Sequence, residues 1–280
     1  MGRPESSTGL RPRRSSASAS ILHFMSERST SAAPLISVLA EPIPRSALLT
    51  AWWNGWSRGL VAPDDLVDAM AAFGTHQVRT LPGKSVPLLA GLAECVAPGT
   101  DARARVALPR AGDLAGLPGP APFNREALAA GQAVISMSGA CALVPIGHEE
   151  LTTWTVMPVE SDRTTVVPLG PEEASEAVRQ ALHVATTELV AMDLSANRDT
   201  VSGALDSLDD SLRRIRFPPY LPGAAIHTAH TAARVLVTVA IAQEDPGHAT
   251  SSLVAQRRAA VLANLARTAR YCLAATCSAR

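Results

Sequence analysis

Four sets of side chains in this sequence have types and spacings suited to chemistry. The first is Asp113, Asn124 and Arg125, within segment 109–125, where Pro109, Pro118, Pro120 and Pro122 alternate with Gly112, Gly116 and Gly119. An acid, an amide and a guanidinium on a long irregular loop are the polar contacts a small ligand needs, and such loops often carry function. Four prolines equally make a rigid structural cover. The second set is Trp52, Trp53 and Trp56, three of the four tryptophans of the chain. Large rigid rings anchor protein interfaces, and the same rings would also fix a helix to a core.

The third set, His227, His230, Thr231 and Arg234, forms a polar stripe on an otherwise apolar helix. Two histidines at i and i+3 fall short of the i, i+4 zinc pattern with a further ligand, so a solvated or hydrogen-bonded stripe is the reading. The fourth is Arg257, Arg258, Arg267 and Arg270 on the last helix. Arginine forks suit phosphate or an acidic partner. Asp206, Asp209 and Asp210 offer a nearer, structural pairing.

Several reaction centres are excluded by residue. Gly83-Lys84 lacks the phosphate-loop glycine five positions earlier, where Val78 stands. His148-Glu149-Glu150-Leu151-Thr152 ends in Thr where a zinc protease has its second histidine. No serine sits in a GxSxG elbow, and Gly112, Gly116 and Gly119 have the wrong spacing for a dinucleotide fingerprint. A helix-turn-helix over 46–79 would turn Asp64, Asp65 and Asp68 toward phosphates, so nucleic acid is an improbable partner. No catalytic residue, metal site or cofactor follows from the motifs.

The bulk properties agree with a helical globular chain. Of 280 residues, 50 are Ala, 18% are charged and 4% aromatic, which excludes collagen, a disulfide scaffold and global disorder. The formal net charge is zero, so no global field draws nucleic acid or acidic membranes. Cys95, Cys141, Cys272 and Cys277 form no CxxC pair, which favours reduced, buried thiols in a cytoplasmic chain. Val235–Ala242, the longest strongly apolar run, lies far below the roughly 20 residues of a membrane span, so no membrane insertion is expected. Residues 1–33, rich in Ser, Ala and Arg, read as a disordered leader, with Met1 and Met25 both open as the start.

These residues need elements to hold them. Leu48, Leu49, Trp52, Trp53 and Trp56 share a face of a helix at 45–58, and Pro63, Asp64 and Asp65 start a second at 63–73, making a hairpin. Strand-like runs follow at Gln77–Leu81, Arg103–Leu108, Gln132–Met137, Ala140–Ile146, Leu151–Val159 and Thr164–Leu169. Leu88–Val96 keeps a helical period, and Asn124 is placed to cap a short helix reaching Ala130. From Pro171 onward apolar stripes predict helices over 171–192, 200–216, 223–244 and 251–276. The expected fold is α+β: an N-terminal helical hairpin, a small mixed β-sheet region and a C-terminal four-helix bundle. The expected organisation is a leader at 1–33, hairpin and sheet at 34–169, and bundle at 170–280.

Three stretches, Leu48–Trp56 with Val61–Leu66, Leu108–Leu128 and Ala185–Arg198, together resemble a family of uncharacterised actinobacterial proteins over roughly 45–280. The resemblance implies a bacterial cytoplasmic setting and carries no catalytic residue. The functional expectation is a non-catalytic binding or interaction module, self-associating through the Trp-bearing hairpin or the bundle, or engaging another protein. The alternative is a small-molecule-binding protein or enzyme with a pocket under 109–125.

Overall fold

Alternating burial organises the central sheet. In β4 (Ala133–Ser136) and β5 (Cys141–Ile146), Ala133, Ile135, Ala142 and Val144 join one apolar cluster, while Val134, Cys141 and Leu143 join the other. This is the two-residue period of a sheet buried on both faces. The computed structural model describes residues 41–96, 101–138, 141–147, 150–160, 169–192, 198–244 and 251–279. The leader 1–33 and most of the Thr164–Leu169 run lie outside them.

The six strands run in the order β2-β1-β6-β5-β4-β3, with β1 (Thr75–Arg79), β2 (Ser85–Pro87), β3 (Ala104–Ala107) and β6 (Leu151–Pro158). Only β1 and β6 pair in parallel; the other neighbours are antiparallel. The sheet is therefore mixed. β2 has only three residues and no alternation to announce it, and it was not expected.

Helices α1 (Arg45–Ser57) and α2 (Pro63–Ala71) form the expected hairpin against one face, and α3 (Leu88–Glu94) packs on β1. The opposite face is covered by α4 (Ala121–Ala130), which inserts Phe123 and Ala127. Asn124 is not the cap of α4. The cap is Pro120, four residues earlier, and Pro122 falls in the first turn, where a missing amide proton costs nothing.

Four C-terminal helices pack together: α5 (Pro171–Ala191), α6 (Arg198–Arg214), α7 (Gly223–Glu244) and α8 (Ser252–Cys277). α8 lies between α5 and α7 and also reaches α1 and β3, while α6 lies on α7. The expected stripes are buried in part. Ala174, Val178 and Ala185 of α5 and Val261, Leu262, Leu265, Ala269 and Leu273 of α8 are buried, whereas Ala181, Leu182, Leu189 and the C-cap Met192 of α5 and Val254 of α8 are only half-buried. Helix α7 is long and apolar enough to cross a membrane, with a mean hydropathy of 1.3. Its Ala225, Ala229, Ala232, Ala233, Val237 and Ile241 are nevertheless buried against the other helices, as in a core helix.

Hairpin and bundle are tied together by α1. Trp52 Nε1–H donates to the Arg216 carbonyl at 2.9 Å, and Tyr220 O–H donates to the Ala51 carbonyl at 2.7 Å, clasping the Phe217–Leu221 connector. The architecture is α+β.

Candidate functional site

The loop–helix junction at Asp113 gathers two arginines around one carboxylate. Pro109 and the glycines keep this segment out of regular structure. The two-residue turn Ala111-Gly112 then folds it back, so that Arg110 and Asp113 exchange both backbone hydrogen bonds, at 3.0 and 2.8 Å. Gly112 has φ +77°, a conformation that side chains other than glycine rarely adopt. The turn aims Asp113 at the last helix. Its Oδ1 accepts from Tyr271 O–H and its Oδ2 from Arg270 Nη2, both at 2.6 Å, and Arg267 Nε stands 3.7 Å from Oδ2.

Burial pushes the Asp113 carboxyl up, but the Tyr271 and Arg270 hydrogen bonds and the Arg270 charge outweigh it, so its pKa lies below the usual range. The Tyr271 phenol moves the other way, to about 12, through burial and then its bond to the carboxylate. Asp113 therefore stays an acceptor-only anion at neutral pH and serves as an anchor.

The other two loop candidates do not join it. Asn124 Oδ1 accepts from the Gly119 amide at 3.1 Å, closing its own loop, and Arg125 is exposed. The three residues have no common focus, because each faces a different partner.

A second polar set surrounds His76, which motifs did not single out. Trp154 Nε1–H donates to His76 Nδ1 at 3.1 Å, so the ring proton sits on Nε2, which donates to the Met70 carbonyl at 3.0 Å. Burial, despite the Met70 bond and aided by the Arg45 charge, lowers the His76 pKa to about 4. Arg45 in turn holds Thr152 Oγ1 and pairs with Glu41 at 3.4 Å. The neutral imidazole joins β1, β6 and α2, and both its nitrogens are engaged.

The tryptophans expected at an interface face inward. Trp53 is fully buried with Nε1–H on the Ala102 carbonyl at 2.8 Å, Trp52 is buried over the connector, and half-buried Trp56 packs on the same core. Neither Trp52 nor Trp53 leaves a ring for a partner, because α1 is enclosed between the sheet and the bundle. The stripe on α7 divides: Arg234 Nε donates to Asp209 of α6 at 2.8 Å, the His230 ring tilts against Phe217 of the connector at 5.7 Å, and His227 is exposed. The α8 arginines thus do not pair with Asp206, Asp209 or Asp210. Arg270 and Arg267 reach Asp113, and Arg257 reaches Glu188 on α5 at 3.4 Å. Among the described residues no group of three or more His, Cys, Asp or Glu stands together as a metal site.

The open surface lies elsewhere, along the seam of α5 and α8. Ala177, Ala181, Val184 and Ala185 of α5 face Val261 and Leu265 of α8 across a groove of about 380 Å³, edged by Gln180, Glu188, Asn264 and Thr268. The floor repeats every three or four residues on both helices. Alanines there keep the wall low, and the concavity remains. Val184, which lines this groove, is 44% exposed, and Glu188 at its edge meets Arg257 of α8.

A family model described as the N-terminal domain of Rv1486c-like protein matches residues 46–172, and one described as the C-terminal domain matches residues 172–274. The uncharacterized protein Rv1486c of Mycobacterium tuberculosis (strain H37Rv) is 29% identical over 240 residues, covering 70% of this chain and 82% of its own length. The uncharacterized protein ML1804 of Mycobacterium leprae (strain TN) is 28% identical over 252 residues, covering 70% of this chain and 83% of its own. No solved structure matches the chain.

Proposed function

The chain belongs to the Rv1486c-like family, and from that premise we propose that it is a non-catalytic interaction module pairing with a second copy of itself along the α5–α8 groove. The observation that carries this is the open apolar seam itself, with Val184 exposed beside a concave floor. Exposed apolar patches rimmed by polar groups mark contact surfaces.

Charge selects the partner. Helix α5 carries Glu172, Glu173, Glu176 and Glu188 against Arg179 alone, whereas α8 carries no acid and presents Arg257 and Arg267 at its surface, Arg270 being buried on Asp113. A two-fold pairing lays the acidic helix of each copy on the basic helix of the other, the self-complementarity that an isologous interface requires. The polar clusters support the non-catalytic part of the reading, since Asp113 and His76 both hold elements of the fold together. A pocket beneath 109–125 is less well supported, because Asp113, Asn124 and Arg125 do not converge. Four buried, unpaired cysteines favour a reducing, cytoplasmic setting.

Light scattering of charge variants tests the pairing. Glu188→Arg and Arg257→Glu should each lower the dimer fraction, and the double swap should restore it. Equal mass for all four proteins would refute the pairing.

A further inference from the structure

All four cysteines are buried and unbridged, and two of them meet although they lie 46 residues apart. Cys95 is the C-cap of α3, and Cys141 is the first residue of β5. The Cys95 carbonyl gathers the junction. It accepts from Cys141 Sγ–H at 3.8 Å and from Ser136 Oγ–H, at the end of β4, at 3.0 Å. Ser138 Oγ stands 3.3 Å from the same carbonyl and 2.7 Å from Ser136 Oγ. The end of α3 is thereby fixed to two adjoining strands.

The thiols also bond to each other. Cys95 S–H donates to the Cys141 sulfur, which holds the Cys141 thiol below its ordinary pKa against the opposing effect of burial. The same bond, with burial, pushes the Cys95 thiol up. One sulfur is thus readied as a nucleophile while its neighbour keeps its proton, a division of roles that thiol–disulfide chemistry uses. Cys272 and Cys277 differ. Five positions on a helix place them about 140° apart around α8, and burial pushes them up to about 11 and about 12.

We propose that Cys95 and Cys141 form a peroxide-responsive dithiol whose oxidation latches the end of α3 to β5 through a reversible disulfide. The Cys141 thiolate attacks one oxygen of hydrogen peroxide and the O–O bond breaks. The departing hydroxide takes up the Cys141 proton, giving a sulfenic acid and water. Cys95 sulfur then attacks the sulfenic sulfur, the S–O bond breaks, and the departing hydroxide takes the Cys95 proton as a second water. Two thiols lose two hydrogens, and one peroxide becomes two waters. At 2% and 4% exposed, Cys95 and Cys141 exclude bulky oxidants, whereas peroxide is small and uncharged. Disulfides formed in a reducing compartment are typically transient and redox-sensing. The latch is separate from the α5–α8 groove and stands or falls independently of self-association.

Peroxide treatment of the full chain, followed by unfolding in maleimide and peptide mass mapping, tests it. A Cys95–Cys141 peptide pair lighter than its reduced parts by two hydrogens is expected, at least tenfold more abundant than any other pairing. Dithiothreitol should abolish it. Oxidation should raise the thermal midpoint, because a bridge across 46 residues restrains the unfolded chain, and reduction should return it. Cys95→Ser should lose the bridge and leave a Cys141 sulfenic acid that dimedone traps, and Cys277→Ser should bridge as the parent does. No Cys95–Cys141 peptide, another pairing in equal yield, an unchanged or lowered midpoint, or no dimedone adduct on Cys141 in Cys95→Ser overturns the proposal.

Discussion

Asn54, in the middle of α1, holds both backbone groups of Ala104 on edge strand β3: its Oδ1 accepts from the Ala104 amide at 2.7 Å and its Nδ2 donates to the Ala104 carbonyl at 3.0 Å. Two positions on, the Val106 amide donates to Ser278 Oγ at 3.1 Å. Side chains from α1 and from beyond α8 thus close an edge that would otherwise template pairing with other chains.

Asn54→Leu keeps the volume and strands two buried backbone groups, at roughly 1–3 kcal/mol each. Urea unfolding should show a loss of about 2–5 kcal/mol, larger than for Ser278→Ala, together with increased aggregation. A change within about 0.5 kcal/mol of the parent, the range of inconsequential surface substitutions, would show that the edge needs no such cap.

Glycine has a different role at two helix sites. A Cβ on Gly91 of α3 would stand 2.2 Å from Val78 Cβ on β1, whereas one on Gly203 of α6 would meet nothing within 4 Å. Gly91→Ala should destabilise by about 1–3 kcal/mol, the usual cost of overpacking, and Val78→Ala should not rescue it because the clashing Cβ remains. Gly203→Ala should stabilise by about 0.5–1 kcal/mol through helix propensity. Thermal unfolding of the three variants checks the contrast.

The neutral His76 sets a pH dependence. Its folded pKa, about 4, lies below the unfolded 6.5, so acid charges the unfolded chain first. The stability it contributes is complete above about pH 6.5 and is lost as pH falls toward 4. At about 1.4 kcal/mol per pKa unit the total is on the order of 3 kcal/mol. His76→Gln, which can still donate and accept, should flatten the stability profile between pH 6.5 and 4. An unchanged slope would assign it to other groups, of which the lowered His230 is the first candidate.

Removing the Asp113 carboxylate leaves Arg270 buried without its anion. Asp113→Ala should cost about 3–5 kcal/mol, the usual penalty for orphaning a buried charge, and Asp113→Asn less. Because the Asp113 pKa is lowered in the fold, its contribution is present above the ordinary carboxylate range and disappears as pH falls below it. Denaturation at pH 7 and at pH 3 should show the Asp113→Ala penalty shrinking in acid.

The bundle was legible because Ala, Val and Leu recur at three and four residues along α5, α7 and α8, and burial follows that period. β4, β5 and β6 were legible from their apolar runs and turn residues. The polar tethers were not. Asp113 and Arg270 are 157 residues apart, and no local pattern joins them. Trp52 and Trp53 show how residue type identifies an anchor without saying what it anchors to. Asn54, an amide inside the apolar run Trp52–Trp56, was a signal that could have been read, since a polar residue on a buried face needs a backbone partner. The α5–α8 groove was hidden in a stripe read as wholly buried, because alanine marks a face as apolar without showing how fully it is covered.

Sedimentation equilibrium over a hundredfold range of concentration, with the parent chain and Val184→Glu, tests self-pairing most directly. Val184 is 44% exposed on the groove, so a charge there should spare the fold and spoil the contact. Self-pairing through the groove makes the parent rise from the 29.2 kDa chain mass toward twice that value as concentration increases, while Val184→Glu stays at the single-chain mass. A parent that remains at the single-chain mass throughout, or a variant that associates as the parent does, would contradict it.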